Sequence, residues 1–460
     1  MEHDQVFDLV ITGGNVVFEE GILEASIGIK EGKIKAIVDP EVDLSSQETI
    51  YCEGKTIFPG LIDPHVHLWE PGFFEYREGF KEGSAAAAAG GVTTLIEMPL
   101  SVPPVVDEES FNLKYAIASD HSVVDFALWG GLIPSSIDDL EELHRLGVVG
   151  HKAFMSYASK SYPHAPDFEL WKAMTKISEF NGLVGVHAEN ADITFKMSKE
   201  YKEANLTDPL HHADARPEVA ELESVQKAIL FAEKTGCRLY VVHMSLPEGI
   251  EMVNQAKRRK NVQVYSETCH HYLLFDQSYL SKHGAFIKCN PPLRSKEAVE
   301  GLWNNIREEE IDCIGSDHGP YTDEEKTKGH SNFWDAPSGF GGIELILPVM
   351  ISEGYHKRNI KLETIAKLTS TNAAKIFGLY PKKGTIRIGS DADLTIVDLN
   401  HEWVYDATNS LSKVKSEFSP YHKRKFRGKV MKTIVRGSVV YSNHSIEVKP
   451  GYGKFVSYNQ

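Results

Sequence analysis

Two histidines stand two residues apart in Asp63-Pro64-His65-Val66-His67, at the end of an apolar run that reads as a β-strand. Side chains in a strand repeat every two residues, so both imidazoles face one side and can chelate a cation. Alone, the pair is a weak signal among 20 histidines, since chance produces it about as often as ligation does. Lys152, His187, His243 and Asp317 each end a further apolar run. Taken singly, each suits a hydrogen-bonded core or loop residue. Taken together, imidazole nitrogens and a carboxylate converging on one rim suit a pair of divalent ions. Lys152 is the odd member because an ammonium cannot ligate. It needs either a salt-bridge role or conversion by carbon dioxide to a carbamate, whose two oxygens can bridge two metals.

The elements that must position these residues follow from the hydrophobic pattern. Eight β-rich runs cover residues 60–67, 93–99, 124–131, 148–155, 183–189, 238–244, 262–268 and 311–317. Helical patterns lie between them, including 79–89 with its alanine run, 107–120, 168–180, 217–234, 247–259 and 296–308. Eight strand and helix units over about 300 residues predict an α/β fold of the (β/α)8 TIM-barrel type, in which the C-terminal strand ends carry the active site. Before the barrel, residues 7–12, 15–19, 25–30 and 33–38 alternate as short strands, with Gly13-Gly14 and Gly32 as turns. That pattern predicts a small antiparallel sheet. After it, Gly384-Thr385-Ile386 and residues 393–399, 429–436 and 439–441 predict a second sheet. The N-terminal sheet has too few residues to bury a core alone. The expected domains are therefore 1–54 and 376–460, packed as one β-sandwich, beside a catalytic barrel at 55–375.

With 460 residues, 42% hydrophobic and 25% charged, the composition is that of a globular protein and excludes collagen-like, coiled-coil and wholly disordered chains. Lys plus Arg total 49 against 65 Asp plus Glu, a formal charge of −16 that repels nucleic acid and anionic membrane. A small-molecule partner is expected. Five scattered cysteines with no C-x-x-C pair argue for reduced thiols in a cytoplasmic protein. The acidic start Met1-Glu2-His3-Asp4-Gln5 lacks the basic character of a signal peptide, and no apolar run approaches the roughly 20 residues that span a bilayer. The basic runs 257–260 and 423–425 read as solvated surface.

The chain resembles the cyclic amidohydrolases of the hydantoinase, allantoinase and dihydropyrimidinase group. The resemblance runs through Pro59-Gly60-Leu61-Ile62-Asp63-Pro64-His65-Val66-His67-Leu68, Gly150-His151-Lys152-Ala153-Phe154-Met155, Val186-His187-Ala188-Glu189-Asn190, Val242-His243-Met244-Ser245 and Gly315-Ser316-Asp317-His318. It extends to the tail motifs Gly389-Ser390-Asp391-Ala392-Asp393-Leu394 and Ser419-Pro420-Tyr421. It implies a barrel-plus-sandwich fold, a homotetramer and a binuclear metal centre. His65 and His67 would hold the more buried ion, His187 and His243 the other, carboxylated Lys152 would bridge them and Asp317 would complete the first site. Zinc is the first expectation, with manganese, cobalt and nickel also accepted by such donors. A hydroxide between two ions would attack the ring amide, and Asp317 would carry its proton to the departing nitrogen. Tyr157 would donate to the oxyanion, while Asn290 and Ser338 belong to segments that meet the substrate ring.

Dihydroorotase-like members carry an arginine two residues after the second histidine, where this chain has Trp69. The missing carboxylate clamp favours a neutral cyclic ureide or a ring with an apolar substituent. Glu70-Pro71-Gly72 and Ile96-Glu97-Met98-Pro99-Leu100 look like allantoinases, whereas Val124-Asp125-Phe126-Ala127-Leu128 and Phe333-Trp334-Asp335 look like hydantoinases, including L-selective ones. Allantoin is a 5-ureidohydantoin, so both readings share one five-membered ring and one bond. The alternatives are a dihydropyrimidinase, a non-enzymatic scaffold protein of the same fold, and a mononuclear deaminase that would give Lys152 no carbamate role.

Overall fold

The computed structural model describes residues 6–259 and 262–458. The acidic start at 1–5 and Lys260 of the first basic run lie outside the described residues. The first five strands are β1 (Phe7–Val17), β2 (Ile22–Lys30), β3 (Lys33–Val38), β4 (Ser46–Tyr51) and β5 (Thr56–Pro59). The eight apolar runs then form β6 (Leu61–Val66), β7 (Val92–Glu97), β8 (Asp125–Leu128) with β9 (Gly130–Gly131), β10 (His151–Phe154), β11 (Leu183–His187), β12 (Arg238–Val241), β13 (Val264–Cys269) and β14 (Cys313–Gly315). All pair in parallel, in two sheets of order β6-β7-β8 and β14-β13-β12-β11-β10-β9. Every residue of β6, β7, β11 and β12 is buried, which explains their nearly continuous apolar sequences. The edges of the two sheets meet where Val66 bridges His318 in parallel and the His67 N–H donates to the His318 carbonyl at 2.7 Å.

Helices fill the connections, as at Phe80–Ala89, Glu108–His121 and Asp167–Glu179. Local chemistry sets their starts: Asp107 caps the second through the Ser110 N–H at 2.8 Å. The alanine run works by close packing. Ala86, Ala87 and Ala88 are buried, and the small side chains let Thr433 reach the Ala88 carbonyl at 2.6 Å.

The terminal strands depart from expectation. After the parallel strands come β15 (Leu394–Val404), β16 (Lys425–Val435), β17 (Ser438–Ser442) and β18 (Ser445–Ile446). They join the N-terminal strands in one nine-stranded sheet of order β18-β17-β16-β15-β5-β1-β2-β3, with β4 beside β1. The two groups of strands are thus joined edge to edge, where separate sheets in a sandwich were expected. The joint is β5, antiparallel to β15 and parallel to β1, and it gives backbone partners to what would be two open edges. The N-terminal strands are mixed rather than antiparallel, since β4 also runs parallel to β1. Thr56–Pro59 belongs to this sheet, so the sheet extends past residue 54. Gly13-Gly14 is an irregularity inside β1 rather than a turn, with Gly13 at φ +75°. Gly384-Thr385-Ile386 is not a strand; Gly384 lies in a bend at φ +77°.

Where the sheet meets β8, Lys383 is buried among Asp125, Asp391 and Asp393, with 2.9 Å to Asp391 and 2.7 Å to Asp393. Three carboxylates grouped this way look like a metal site, but the ammonium already sits among them. The basic run at 257–259 is paired with acids: Lys257 with Asp312, Arg258 with Glu251 and Arg259 with Glu233, each at 2.6 Å.

Candidate active site

The C-terminal ends of the parallel strands open into a cavity of about 480 Å³. His65, His67, Trp69, Lys152, Tyr157, His187, His243, Asn290, Asp317 and Ser338 all line it. Residues spread over more than half the chain therefore share one space.

His65 Nε2 and His67 Nε2 lie 3.2 and 3.3 Å from the same oxygen of Asp317, and the three form a compact group of metal-ligating atoms. The opposite nitrogen of His65 faces Glu267 at 2.9 Å. A carboxylate there fixes a proton on Nδ1 and leaves the Nε2 lone pair directed at Asp317. His187 is held in the same manner by Glu189, at 2.7 Å from Nε2, and Arg216 Nε donates to Glu189 at 2.9 Å. His187 Nδ1 then faces His243 Nε2 at 2.9 Å. Burial pushes the His67 imidazole down to about 4 and also lowers His187 and His243, so all three are neutral bases near pH 7. Burial alone would raise the Asp317 carboxyl, but interactions with His65, His67 and His243 outweigh it and lower it below the ordinary carboxylate range.

Lys152 is fully buried between these two histidine groups in sequence, and its Nζ has no hydrogen-bond partner among the described residues. Its amine sits 4.4 Å from the Phe154 ring centre. Burial pushes its pKa down to about 8, against the pull of Asp317 and Glu267. Among the described residues, the salt bridge left open for Lys152 is not formed. A buried amine with no partner among the described residues, beside imidazoles and a carboxylate, is a donor set whose chemistry fits divalent ions.

Backbone conformation supports a dedicated site. Trp69, His243 and Asp317 all have left-handed backbones, at φ 61°, 38° and 47°. Such conformations cost about 1–3 kcal/mol each and persist where surroundings enforce them. Trp69 is buried, stacks on His67 with ring centres 5.9 Å apart and donates its indole N–H to the Pro320 carbonyl at 3.0 Å. Tyr157 stands at the mouth, 57% exposed. Asn290 lines the cavity with its Oδ1 unpartnered among the described residues.

Glu267, Glu189 and Arg216 were not singled out from sequence. Glu267 had a signal: a charged residue within the buried strand β13, where all neighbours from Ser266 to Cys269 are buried. It also accepts from the His243 N–H at 3.0 Å and the Tyr240 hydroxyl at 2.9 Å.

The model of the amidohydrolase family matches residues 56–440. The chain belongs to the amidohydrolase family. Among this amidohydrolase's relatives, an allantoinase of Rubrobacter xylanophilus is 40% identical over 452 residues, covering 98% of this chain and 97% of that protein. An L-hydantoinase of Paenarthrobacter aurescens is 35% identical over 453 residues, 98% of each. The solved structure of an L-hydantoinase (dihydropyrimidinase) from Arthrobacter aurescens superposes with a TM-score of 0.95 at 35% identity, covering 98% of this chain and 100% of that one. A D-hydantoinase structure gives 0.90 at 35% identity over 97% and 98% of the two chains.

Proposed function

We propose that this amidohydrolase opens the cyclic amide bond of a five-membered cyclic ureide, converting 5-substituted hydantoin to an N-carbamoyl amino acid or allantoin to allantoate. The observation that carries this reading is the meeting, in one cavity, of the His65, His67 and Asp317 group, the His187 and His243 pair and the orphaned buried amine of Lys152. His65, His67 and Asp317 would hold one divalent ion, His187 and His243 a second, and Lys152, carboxylated by carbon dioxide, both. Bound there, the two ions would supply Lewis acidity toward the amide carbonyl and a more acidic water at neutral pH. Zinc suits these donors, and manganese, cobalt and nickel are alternatives.

The chain's own residues do the rest. The Asp317 carboxylate takes a proton from the attacking water and returns it to the ring nitrogen, since the alternative leaving group is an amide anion. The Tyr157 hydroxyl, at the cavity mouth, donates to the oxygen where charge develops. Asn290 and Ser338 face the cavity where the ring edge would lie. Dihydroorotate is disfavoured: Trp69 stands where a clamp would be, and the guanidinium of Arg77, 4.9 Å from the Trp69 ring centre, is engaged by Glu325 at 2.9 Å.

The same reading takes the two parallel sheets as one closed (β/α)8 barrel, with the terminal strands as a second domain. It places the protein in the cytoplasm as a homotetramer with a small-molecule partner. Among the described residues, no helix is long and apolar enough to cross a membrane. Light scattering of the purified protein tests the tetramer. The test of function is the ring-opening rate of metal-loaded protein on allantoin, D- and L-5-substituted hydantoins, dihydrouracil and dihydroorotate. Turnover of one of the first two classes is expected; two bound ions with no ring opened would overturn the proposal.

A further inference from the structure

Facing the ligand-bearing rim, the cavity has a second wall made by two loops, 284–290 and 333–339. They contribute Lys288, Asn290, Trp334, Pro337, Ser338 and Gly339 to the lining. The first opens with the 3-10 turn Gly284–Ile287 and the second with Phe333–Asp335; beyond the second turn the Ala336 and Pro337 carbonyls have no backbone donor among the described residues, and burial makes such groups costly unless something donates to them. Two lysines do so. Lys288 Nζ donates to the carbonyls of Phe333 at 3.0 Å and Ala336 at 2.6 Å. Lys326 Nζ donates to those of Ala285 at 3.0 Å and Pro337 at 2.9 Å. A backbone bond from the Gly339 N–H to the Lys288 carbonyl, 2.8 Å, closes the seam, and Trp334 is fastened on its far side through its indole N–H to the Leu206 carbonyl at 2.8 Å.

Both lysine side chains are buried. Buried lysines ordinarily pair with a carboxylate, yet neither amine has an ion pair among the described residues. Each has two carbonyl acceptors, the number that the two N–H bonds of an uncharged amine can serve. Burial indeed pushes both down to about 7. The two groups also act on one loop: Lys288 holds Phe333 and Ala336, and Lys326 holds the adjacent Pro337.

We propose that Lys288 and Lys326 form a paired amine clamp, two positioning residues that set the shape of the substrate-facing wall by stitching loop 333–339 to loop 284–290. The proposal rests on the cavity being the ring-binding site. The lysines act through the loops, so their loss shows in substrate binding rather than in metal loading or chemistry. Lys288→Met, Lys326→Met and the double variant, made in the full chain, test this through KM, kcat and bound metal on whichever ring the unaltered protein opens. The expected result is a KM at least tenfold higher for each single variant, with kcat within about threefold and metal content unchanged. The double variant should resemble the worse single one, because both amines serve the same loop. Unchanged KM, or a loss confined to kcat and metal, would overturn the clamp.

Hydrogen exchange on the unaltered protein keeps the test open if the variants do not fold. Amides of 333–339 and 284–290 should open together as one unit. Exchange of 333–339 at least a hundredfold faster than 284–290 would sink the proposal. If the unaltered protein opens no ring, the functional reading fails, while the exchange result still judges the clamp.

Discussion

His65 and His187 are each held by a carboxylate, Glu267 and Glu189, on one ring nitrogen, which directs the other into the site. Glu267 does this for His65 and also accepts from the His243 backbone, so a single carboxylate orients both histidine groups. Glu267→Gln is expected to weaken divalent-ion affinity by about 10- to 100-fold, the usual effect of losing such a partner. Competition with a chelator measures it, and undiminished affinity would show that His65 is held by packing alone. Lys152→Ala should abolish ring opening and lower the bound metal below two ions per chain. Intact mass under native conditions should show one added carbon dioxide on the unaltered protein and none on the variant. Full activity and full metal content in Lys152→Ala would instead favour the mononuclear deaminase reading.

At the scale of elements, the parallel strands deliver these residues to one rim, and the terminal sheet is locked to them by charge. Asp125 at the start of β8 shares Lys383 with Asp391 and Asp393, which lead into β15, and Arg436 from the turn after β16 also reaches Asp125. The Lys383 pKa is raised: burial works against it, and the Asp393 and Asp391 carboxylates outweigh burial. Replacing the amine leaves buried negative charges facing one another. Lys383→Met is therefore expected to cost about 3–5 kcal/mol, read as a fall in the thermal midpoint, and a midpoint within a degree of the unaltered protein would refute it. The eight apolar runs were legible because buried parallel strands are apolar on both faces. The bulge at Gly13-Gly14 was not, since a glycine pair reads alike as a turn or an irregularity until its partner strand is known.

For the whole molecule, the amines of Lys288 and Lys326 predict how stability depends on pH. Burial lowers both most strongly. Lys202 and Arg216 lower Lys288 further while Asp335 opposes them, and Lys288 and Arg77 lower Lys326 while Cys289 and Glu325 oppose them. Both fall from the ordinary 10.5 to about 7 in the folded protein. Between these values the unfolded chain binds protons that the folded chain does not, so stability rises with pH by up to about 1.4 kcal/mol per unit per group. Below about 7 both states are protonated and the full cost of burying the charges is present. The thermal midpoint of the unaltered protein relative to the Lys288→Met/Lys326→Met variant should therefore climb from about pH 7 upward. A difference that stays flat would mean the amines keep their ordinary pKa.

The sequence by itself determined the donor types and their places at strand ends, because a period of two and apolar runs are local properties that survive without any knowledge of neighbours. His65, His67, Lys152, His187, His243 and Asp317 were all nameable on that basis. Only the tertiary structure decided that Lys152 has no hydrogen-bond partner among the described residues, that Glu267 serves two histidine groups, and that the terminal strands share one sheet through β5. It also revealed the two lysines between the loops. These are facts of burial and of contacts distant in sequence. A lysine exposed on a helix and one buried under two loops are the same letter, and what separates them is the desolvation and the partners that folding imposes.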